Sequence, residues 1–249
     1  MAVKQLLQPI IDTIVARHPW AFRTALSKVQ PHAFVDSIGT WDKQSYNNFK
    51  FSGQLNGFED IVTLFSIGRF NRGVIRLELD EAALLFKTVQ SMDAPVGVEI
   101  GRGWGGSTML LAIAVGEKGK IKSVELTPTH DEELAKILES GGISNRVELI
   151  VGDSRKADVG RTLDFAFIDG CHDYELAKHD HLRFGALVKS GGYIMHHDLT
   201  NERPDASCSK SLLQLRDEIL QHQQGSIQVH RQAGSLMVFR KISDAWPTF

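Results

Sequence analysis

The stretch that decides the fold runs Val96-Gly-Val-Glu-Ile-Gly101-Arg-Gly-Trp-Gly-Gly-Ser107-Thr108. A short apolar run containing Glu99 is followed by four glycines and then by two hydroxyl residues. The run predicts a buried strand, the glycines predict a tight turn, and Ser-Thr predicts the start of a helix. A strand, a glycine turn and a helix N-terminus in this order indicate a site where a nucleotide-like ligand approaches the backbone.

The composition of the whole chain narrows the class of protein. With 249 residues, 42% apolar and 23% charged, we expect a soluble α/β domain with an extension. A net charge of −2 without a basic block indicates neither nucleic acid nor an anionic membrane as a partner. Two cysteines are too few for a disulfide framework, and the N-terminus lacks the apolar stretch of a signal peptide. These features predict a cytoplasmic protein.

Residues 1–75 and 76–249 differ in their patterns. The first region holds more than half of the Phe and Trp residues. Its single clear stretch of helical hydrophobic periodicity predicts a helix over 3–15. We interpret 1–75 as a helical extension packed on the main domain. The alternative is that its aromatic residues form a substrate lid or an oligomer interface, so a homo-oligomer stays open.

Strands and helices alternate from residue 76 onward. Predicted helices cover 80–92, 107 onward, 131–140, 174–188 and 212–220, and predicted strands cover 96–100, 120–124, 147–151, 163–168, 193–195, 226–229 and 236–240. This order predicts a doubly wound α/β fold with a mostly parallel seven-stranded sheet. Ligands of such sheets bind beyond the carboxyl ends of the strands. Five successive strands each carry an acid at or near that end: Glu99, Glu125, Asp153, Asp169 and Asp198.

The glycine turn fits two cofactor classes. Gly101-x-Gly103-x-x-Gly106 matches the dinucleotide fingerprint, with Glu125 near the distance expected for a ribose contact. Glu99-x-Gly101-x-Gly103-x-Gly105 matches the first motif of class I S-adenosylmethionine-dependent methyltransferases. Glu99 favours the second class, because a carboxylate repels a pyrophosphate and suits a sulfonium and an ammonium. The predicted cofactor-binding residues are Glu99, Gly101, Gly103, Gly105, Ser107, Glu125, Asp153, Ser154 and Asp169.

Two later motifs make the resemblance more specific. They are Phe167-Ile-Asp-Gly-Cys-His-Asp-Tyr174 and Leu187-Val-Lys-Ser-Gly-Gly-Tyr-Ile-Met-His-His-Asp198. Over roughly residues 76–241 the chain resembles the metal-dependent small-molecule O-methyltransferases, especially those acting on macrolide sugars. It also resembles the methyltransferase-like protein partnered with cephalosporin hydroxylase. The resemblance implies His172 as the base that accepts the proton of an acceptor hydroxyl.

A metal site is predicted at Asp169 and Asp198. These acids end strands that the fold places side by side, about 4.8 Å apart, so a divalent cation between them relieves their repulsion. In the resembling enzymes such acids bind magnesium, whereas this chain carries His197 before Asp198. An imidazole ligand suits manganese, iron or zinc better, and Asn201 is a candidate source of a further oxygen. The predicted ligands are Asp169, His197 and Asp198.

These observations predict an enzyme that methylates a hydroxyl of a small polyhydroxylated molecule, a sugar or a natural product, with Mg²⁺ or Mn²⁺ assisting. An NAD(P)-dependent oxidoreductase is the first alternative, although the sequence lacks an obvious Tyr-x-x-x-Lys pair for hydride transfer. A methyltransferase-fold protein that supports another enzyme without catalysis is the second.

Overall fold

The computed structural model describes residues 54–64, 75–200 and 210–249. The helix predicted over 3–15 and the candidate ligand Asn201 lie outside the described residues. Within them, no helix combines the length and the apolarity needed to cross a bilayer.

Seven strands form one sheet in the order β3-β2-β1-β4-β5-β7-β6. The strands are β1 (Val96–Ile100), β2 (Lys120–Glu125), β3 (Val147–Val151), β4 (Leu163–Ile168), β5 (Val188–His196), β6 (Ile227–Ala233) and β7 (Leu236–Lys241). Strands β1 to β5 pair in parallel, and β7 joins β5 and β6 antiparallel. The predicted mostly parallel, seven-stranded sheet is therefore confirmed. Strand β5 is longer than predicted, because Gly191 and Gly192 lie within it rather than in a turn before it.

The described residues form five α-helices, of which the first precedes β1 and the other four each lie between two strands: α1 (Leu79–Gln90), α2 (Gly106–Ala114), α3 (Asp131–Ser140), α4 (Tyr174–Leu187) and α5 (Lys210–His222). Short 3-10 helices cover Phe58–Leu64 and Ser144–Arg146. The predicted helices from 80 onward all form, with ends that shift by one or two residues at most positions.

The core lies on both faces of the sheet, as the alternation of side chains along β4 shows. Phe165 and Phe167 pack into the cluster that includes residues of α1, α2 and α3. Ala166 and Ile168 pack into the cluster that includes residues of α4 and α5. Successive residues of a strand point to opposite faces, so one apolar strand supplies both layers. This is the doubly wound arrangement.

The described part of the predicted N-terminal extension packs on this domain. Leu55 and Ile61 are fully buried in the cluster that contains residues of α1 and α2. The backbone N–H of Leu55 donates to the carbonyl of Gly141, just after α3, at 2.9 Å. Leu55 and Ile61 therefore belong to the core of the main domain, while the boundary at residue 75 stays a prediction.

Candidate functional site

The candidate site lies at the topological switch point of the sheet, between β1 and β4, where the strand order reverses. Strands β1 and β4 are neighbours, with Ile100 opposite Ile168, and the connections leave toward β2 on one side and β5 on the other. Gly101 follows β1 with φ +84°. A Cβ there would lie 2.3 Å from the carbonyl oxygen of Asp169, so only glycine lets the two strand ends approach this closely. Crevices at such switch points bind ligands in open α/β sheets.

A cavity of about 510 Å³ opens at this edge of the sheet. Seven predicted cofactor-binding residues line it: Gly101, Gly103, Ser107, Glu125, Asp153, Ser154 and Asp169. Its wall also contains residues that the sequence analysis did not assign to the cofactor, including Arg76, Leu77, Arg102, Trp104, Asp180 and His197. The volume falls within the range of small-molecule and cofactor sites.

Glu125 closes the glycine turn from the end of β2. One of its carboxylate oxygens accepts the backbone N–H of Gly103 at 2.9 Å, and the other accepts the N–H of Thr127 at 3.1 Å. In a dinucleotide site, the N–H groups of this turn face the pyrophosphate. Here one of them faces a carboxylate, which would repel that dianion. The geometry favours a ligand that presents hydroxyls or a positive charge.

Beyond β3, the carboxylate of Asp153 binds the guanidinium of Arg155, with an Oδ2 to Nη2 distance of 2.6 Å. The hydrogen bonds and charge of Arg155 hold the pKa of Asp153 well below its ordinary range. The Ser154 hydroxyl donates to Oδ1 of Asp180 at 2.8 Å. Asp180 is nearly fully buried in the cavity wall, and burial raises its pKa. Asp153 was predicted as a cavity residue, but Asp180 was not. Its position in the middle of α4 gives no sequence signal that its side chain lines the cavity.

Glu99 is fully buried and does not line the cavity, contrary to the expected contact with the methyl donor. Its Oε2 accepts hydrogen bonds from Thr108 at 2.6 Å and from Ser123 at 2.5 Å. Burial raises its pKa. Glu99 therefore joins β1, β2 and α2 beneath the glycine turn. Gly105 is likewise outside the wall, because it packs against Leu134.

An acidic cluster lies beside the cavity, at the ends of β4 and β5. Nε2 of His172 is 3.3 Å from Oδ2 of Asp198. Asp169, His172 and Asp198 each offer one ligand atom, and these three atoms lie within 4.8 Å of one another. Two carboxylates and an imidazole at this spacing are a ligand set that a divalent transition metal accepts.

His197 is engaged on both ring nitrogens. Its Nδ1 is 3.1 Å from Oδ1 of Asp169 and 3.3 Å from Oδ2 of Asp198, and its Nε2 is 3.2 Å from Oε2 of Glu81. Burial opposes its protonation, but Asp169 and the other two carboxylates raise its pKa well above the ordinary value. The three residues whose ligand atoms lie together are Asp169, His172 and Asp198, so His172 has the geometry of a ligand. His197 as a ligand stays a prediction.

Glu81 of α1 anchors this network and was missed in the sequence. Its Oε1 accepts both the backbone N–H and the hydroxyl of Ser235, at 2.8 and 2.7 Å. Burial would raise its pKa, but the bonds to His197 and Ser235 lower it to about 2. An acid in the first turn of a predicted helix is usually explained by the helix dipole, so the pattern alone gave no signal.

Comparison with known proteins shows which proteins this chain resembles. Residues 98–199 match the family model described as methyltransferase domain. A Dictyostelium discoideum protein named probable caffeoyl-CoA O-methyltransferase 1 is 22% identical over 198 residues, which span 72% of this chain and 85% of that protein. Catechol O-methyltransferase of Mycobacterium tuberculosis is 34% identical over 83 residues, 32% of this chain and 38% of the relative. An SAH-bound methyltransferase of Podospora anserina matches with a TM-score of 0.57 and 16% identity, over 91% of this chain and 97% of that one.

Proposed function

Since the chain carries a class I S-adenosylmethionine-dependent methyltransferase domain, we propose that it moves the donor's methyl group to a hydroxyl of a small molecule. The observation that carries the proposal is the 3.3 Å contact between His172 and Asp198, beside the cavity that Asp169 lines. A base and two acids next to a cofactor cavity are suited to accepting a proton from an incoming hydroxyl.

The reaction is an in-line displacement at the methyl carbon. The acceptor oxygen forms the new O–CH₃ bond while the bond from that carbon to sulfur breaks, which leaves S-adenosylhomocysteine. The proton of the hydroxyl passes to His172, whose side chain is 40% exposed and returns it to solvent. Asp198 orients the imidazole and stabilises its charged form. Alignment of oxygen, carbon and sulfur should supply most of the rate, because the nucleophile and the donor are both bound.

The residues present also fit a divalent cation, Mg²⁺ or Mn²⁺. Asp169 and Asp198 would hold it, and an imidazole nitrogen of His172 lies within reach of the same point. When bound, such an ion polarises the acceptor hydroxyl and lowers its pKa. We assign the ion to the carboxylates and the proton to His172. His197 keeps the role of a hydrogen-bond donor that orients Asp169.

The acceptor is proposed to be a small hydroxylated molecule. The relatives named for caffeoyl-CoA and catechol support this class, and sugars and polyhydroxylated natural products belong to it. The assay incubates the full chain with S-adenosylmethionine and a panel of catechols, caffeoyl thioesters, sugars and macrolides. Release of S-adenosylhomocysteine and a product 14 mass units heavier are measured by mass spectrometry, with EDTA and with added Mg²⁺ or Mn²⁺.

The matched variants are His172→Ala and His230→Ala. His172→Ala should lower methylation about 100-fold or more, in the range of lost general bases. His230 lies on β6 against Tyr193, away from the cavity, so its removal should leave the rate unchanged. Donor binding without turnover on any acceptor, with either ion, would contradict the proposal and favour a non-catalytic partner protein. EDTA without effect would remove the cation from it.

A further inference from the structure

Arg76 lies in the cavity wall, just before α1, and its guanidinium is held against an aromatic ring. The Cζ atom of Arg76 is 4.6 Å from the centroid of the Trp104 ring. That indole also stacks on His130, with ring centroids 3.9 Å apart and an angle of 20° between the planes. A guanidinium over an indole face gains cation–π attraction, and its N–H groups stay available in its own plane.

Arg76 differs from the other two arginines that line the cavity. Arg102 donates to both carboxylate oxygens of Asp131, and Arg155 binds the carboxylate of Asp153. Both charges are thus neutralised within the protein. Among the described residues, no carboxylate lies within ion-pair distance of Arg76, whose described polar contact is the Trp104 ring. Arg76 is therefore the arginine of the cavity wall whose charge remains available to an anionic group of a ligand.

The position of Arg76 indicates which end of a donor it would meet. Glu125 ends β2 and Asp153 follows β3, on one side of the switch point. The guanidinium of Arg76 lies over Trp104 of the glycine turn, which follows β1 at the switch point itself. The sulfonium must lie near Asp169 to deliver its methyl group there, so a donor whose ribose meets Glu125 passes along the glycine turn beside Arg76. The amino-acid end of S-adenosylmethionine follows the sulfonium, and its carboxylate is the donor's single anionic group.

We propose that Arg76, held by Trp104, binds the α-carboxylate of the methyl donor and selects ligands with an intact amino-acid end. The inference rests on the proposed function for the identity of the donor. It adds a recognition residue outside the glycine turn and the acids at the strand ends. The carboxylates of the cavity attract the ammonium of the donor but repel its α-carboxylate. Arg76 supplies the positive charge that the α-carboxylate needs.

Isothermal titration calorimetry of the full chain tests the role of Arg76, with ligands that have or lack the α-carboxylate. S-adenosylmethionine is compared with decarboxylated S-adenosylmethionine, which keeps the ammonium, and with 5′-methylthioadenosine, which lacks the amino-acid end. Arg76→Met should weaken S-adenosylmethionine about tenfold, as expected for a charge-assisted bond at a partly solvated site. It should leave the other two affinities unchanged, and Arg76→Lys should restore part of the loss.

Arg155→Met is the matched control, because Arg155 is also in the wall but is paired with Asp153. It should change all three affinities by a similar factor. The inference is overturned if Arg76→Met weakens S-adenosylmethionine and its decarboxylated form equally, or weakens neither. A wild-type chain that binds decarboxylated donor as tightly as the intact one overturns it too. If wild type binds none of the three ligands, the methyl-donor assignment itself fails, which is a different result.

Discussion

Nε2 of His172 lies 3.3 Å from Oδ2 of Asp198, whose backbone adopts the left-handed conformation with φ 58°. Residues other than glycine rarely adopt it, although aspartate and asparagine tolerate it better than most. Such a conformation costs on the order of 1 kcal/mol and persists where the surroundings enforce it. Here the hydrogen bond from the Leu199 N–H to the carbonyl of Ser235 fixes the chain directly after Asp198. The carboxylate is thereby held next to the imidazole.

Asp198→Asn should separate the charge of this residue from its backbone role. Asparagine also tolerates the left-handed conformation, so the variant should keep the wild-type fold by circular dichroism. Its midpoint of thermal unfolding should fall, because the buried His197 then has one carboxylate fewer beside it. Its kcat should fall about 100-fold, because the amide cannot stabilise a charged His172. Steady-state kinetics on an acceptor found in the panel would measure this. A variant with the wild-type kcat would remove Asp198 from the chemistry.

Gly101→Ala and Gly103→Ala form a matched pair in one turn. Both positions have positive φ, +84° and +50°, so each alanine costs about 1 kcal/mol of backbone energy. At Gly101 the new Cβ would also lie 2.3 Å from the carbonyl oxygen of Asp169, whereas at Gly103 nothing lies within 4 Å. Gly101→Ala should therefore unfold at clearly lower urea concentration and bind the donor poorly. Equal urea midpoints for the two variants would contradict the close approach of β1 and β4.

Glu81→Gln should destabilise the fold strongly. Glu81 is 1% exposed and accepts bonds from His197, Ser235 and the backbone of Glu78. The variant leaves the buried imidazolium of His197 with one acid fewer, which should cost about 3 kcal/mol of unfolding free energy. Urea denaturation at pH 7 measures it. Asp80→Asn, one residue earlier and exposed, is the control and should change stability by less than ~1 kcal/mol. Similar losses in both variants would point to the helix terminus instead.

Acid should destabilise the protein through a buried histidine pair on the opposite face of the sheet. Nδ1 of His181 is 2.9 Å from Nε2 of His196, and its Nε2 is 2.8 Å from Oε1 of Gln223. Burial lowers the pKa of His181 to about 4 and that of His196 well below its ordinary value. Between about pH 6.5 and 4 the unfolded chain binds a proton that the folded His181 does not. The contribution of His181 to stability is therefore fully present above pH 6.5 and is lost as the pH drops toward 4.

For His181 alone the loss amounts to ~3 kcal/mol over that range. Urea unfolding at pH 7, 6 and 5 gives the slope, and His181→Gln should flatten it. The exposed His230 provides the control, since His230→Gln should keep the wild-type slope. A slope that survives His181→Gln undiminished would assign the acid sensitivity to other groups.

The sheet was predictable because its signal is local. The apolar run of β4 from Leu163 to Ile168 is buried on both faces and ends at an acid, as a central parallel strand must be. Nothing comparable marks Gly191 and Gly192, which look like a turn but continue β5 after an irregular pairing with β4. Whether these glycines form a turn or part of a strand depends on their pairing with β4, which the local sequence does not show.

The site was predictable only in part. The rule that strand ends share one edge brought Glu125, Asp153 and Asp169 to one cavity. This rule does not predict the direction in which a side chain points. Glu99 was therefore expected in the cavity, but its carboxylate points to Thr108. The partner of His197 lies 116 residues away in Glu81, a separation that no spacing rule reaches. Whether His197 resembles a ligand or a buried cation depends on that contact.

The cavity spans the switch point between β1 and β4, from Glu125 at the end of β2 to Asp169 after β4. A ligand seated there contacts both halves of the chain and has no binding site on the unfolded polypeptide. At a concentration one hundred times its Kd it adds about 2.7 kcal/mol to the free energy of unfolding. Proteases in a cell remove the unfolded fraction. The abundance of this protein is therefore expected to rise and fall with the cellular supply of its own methyl donor.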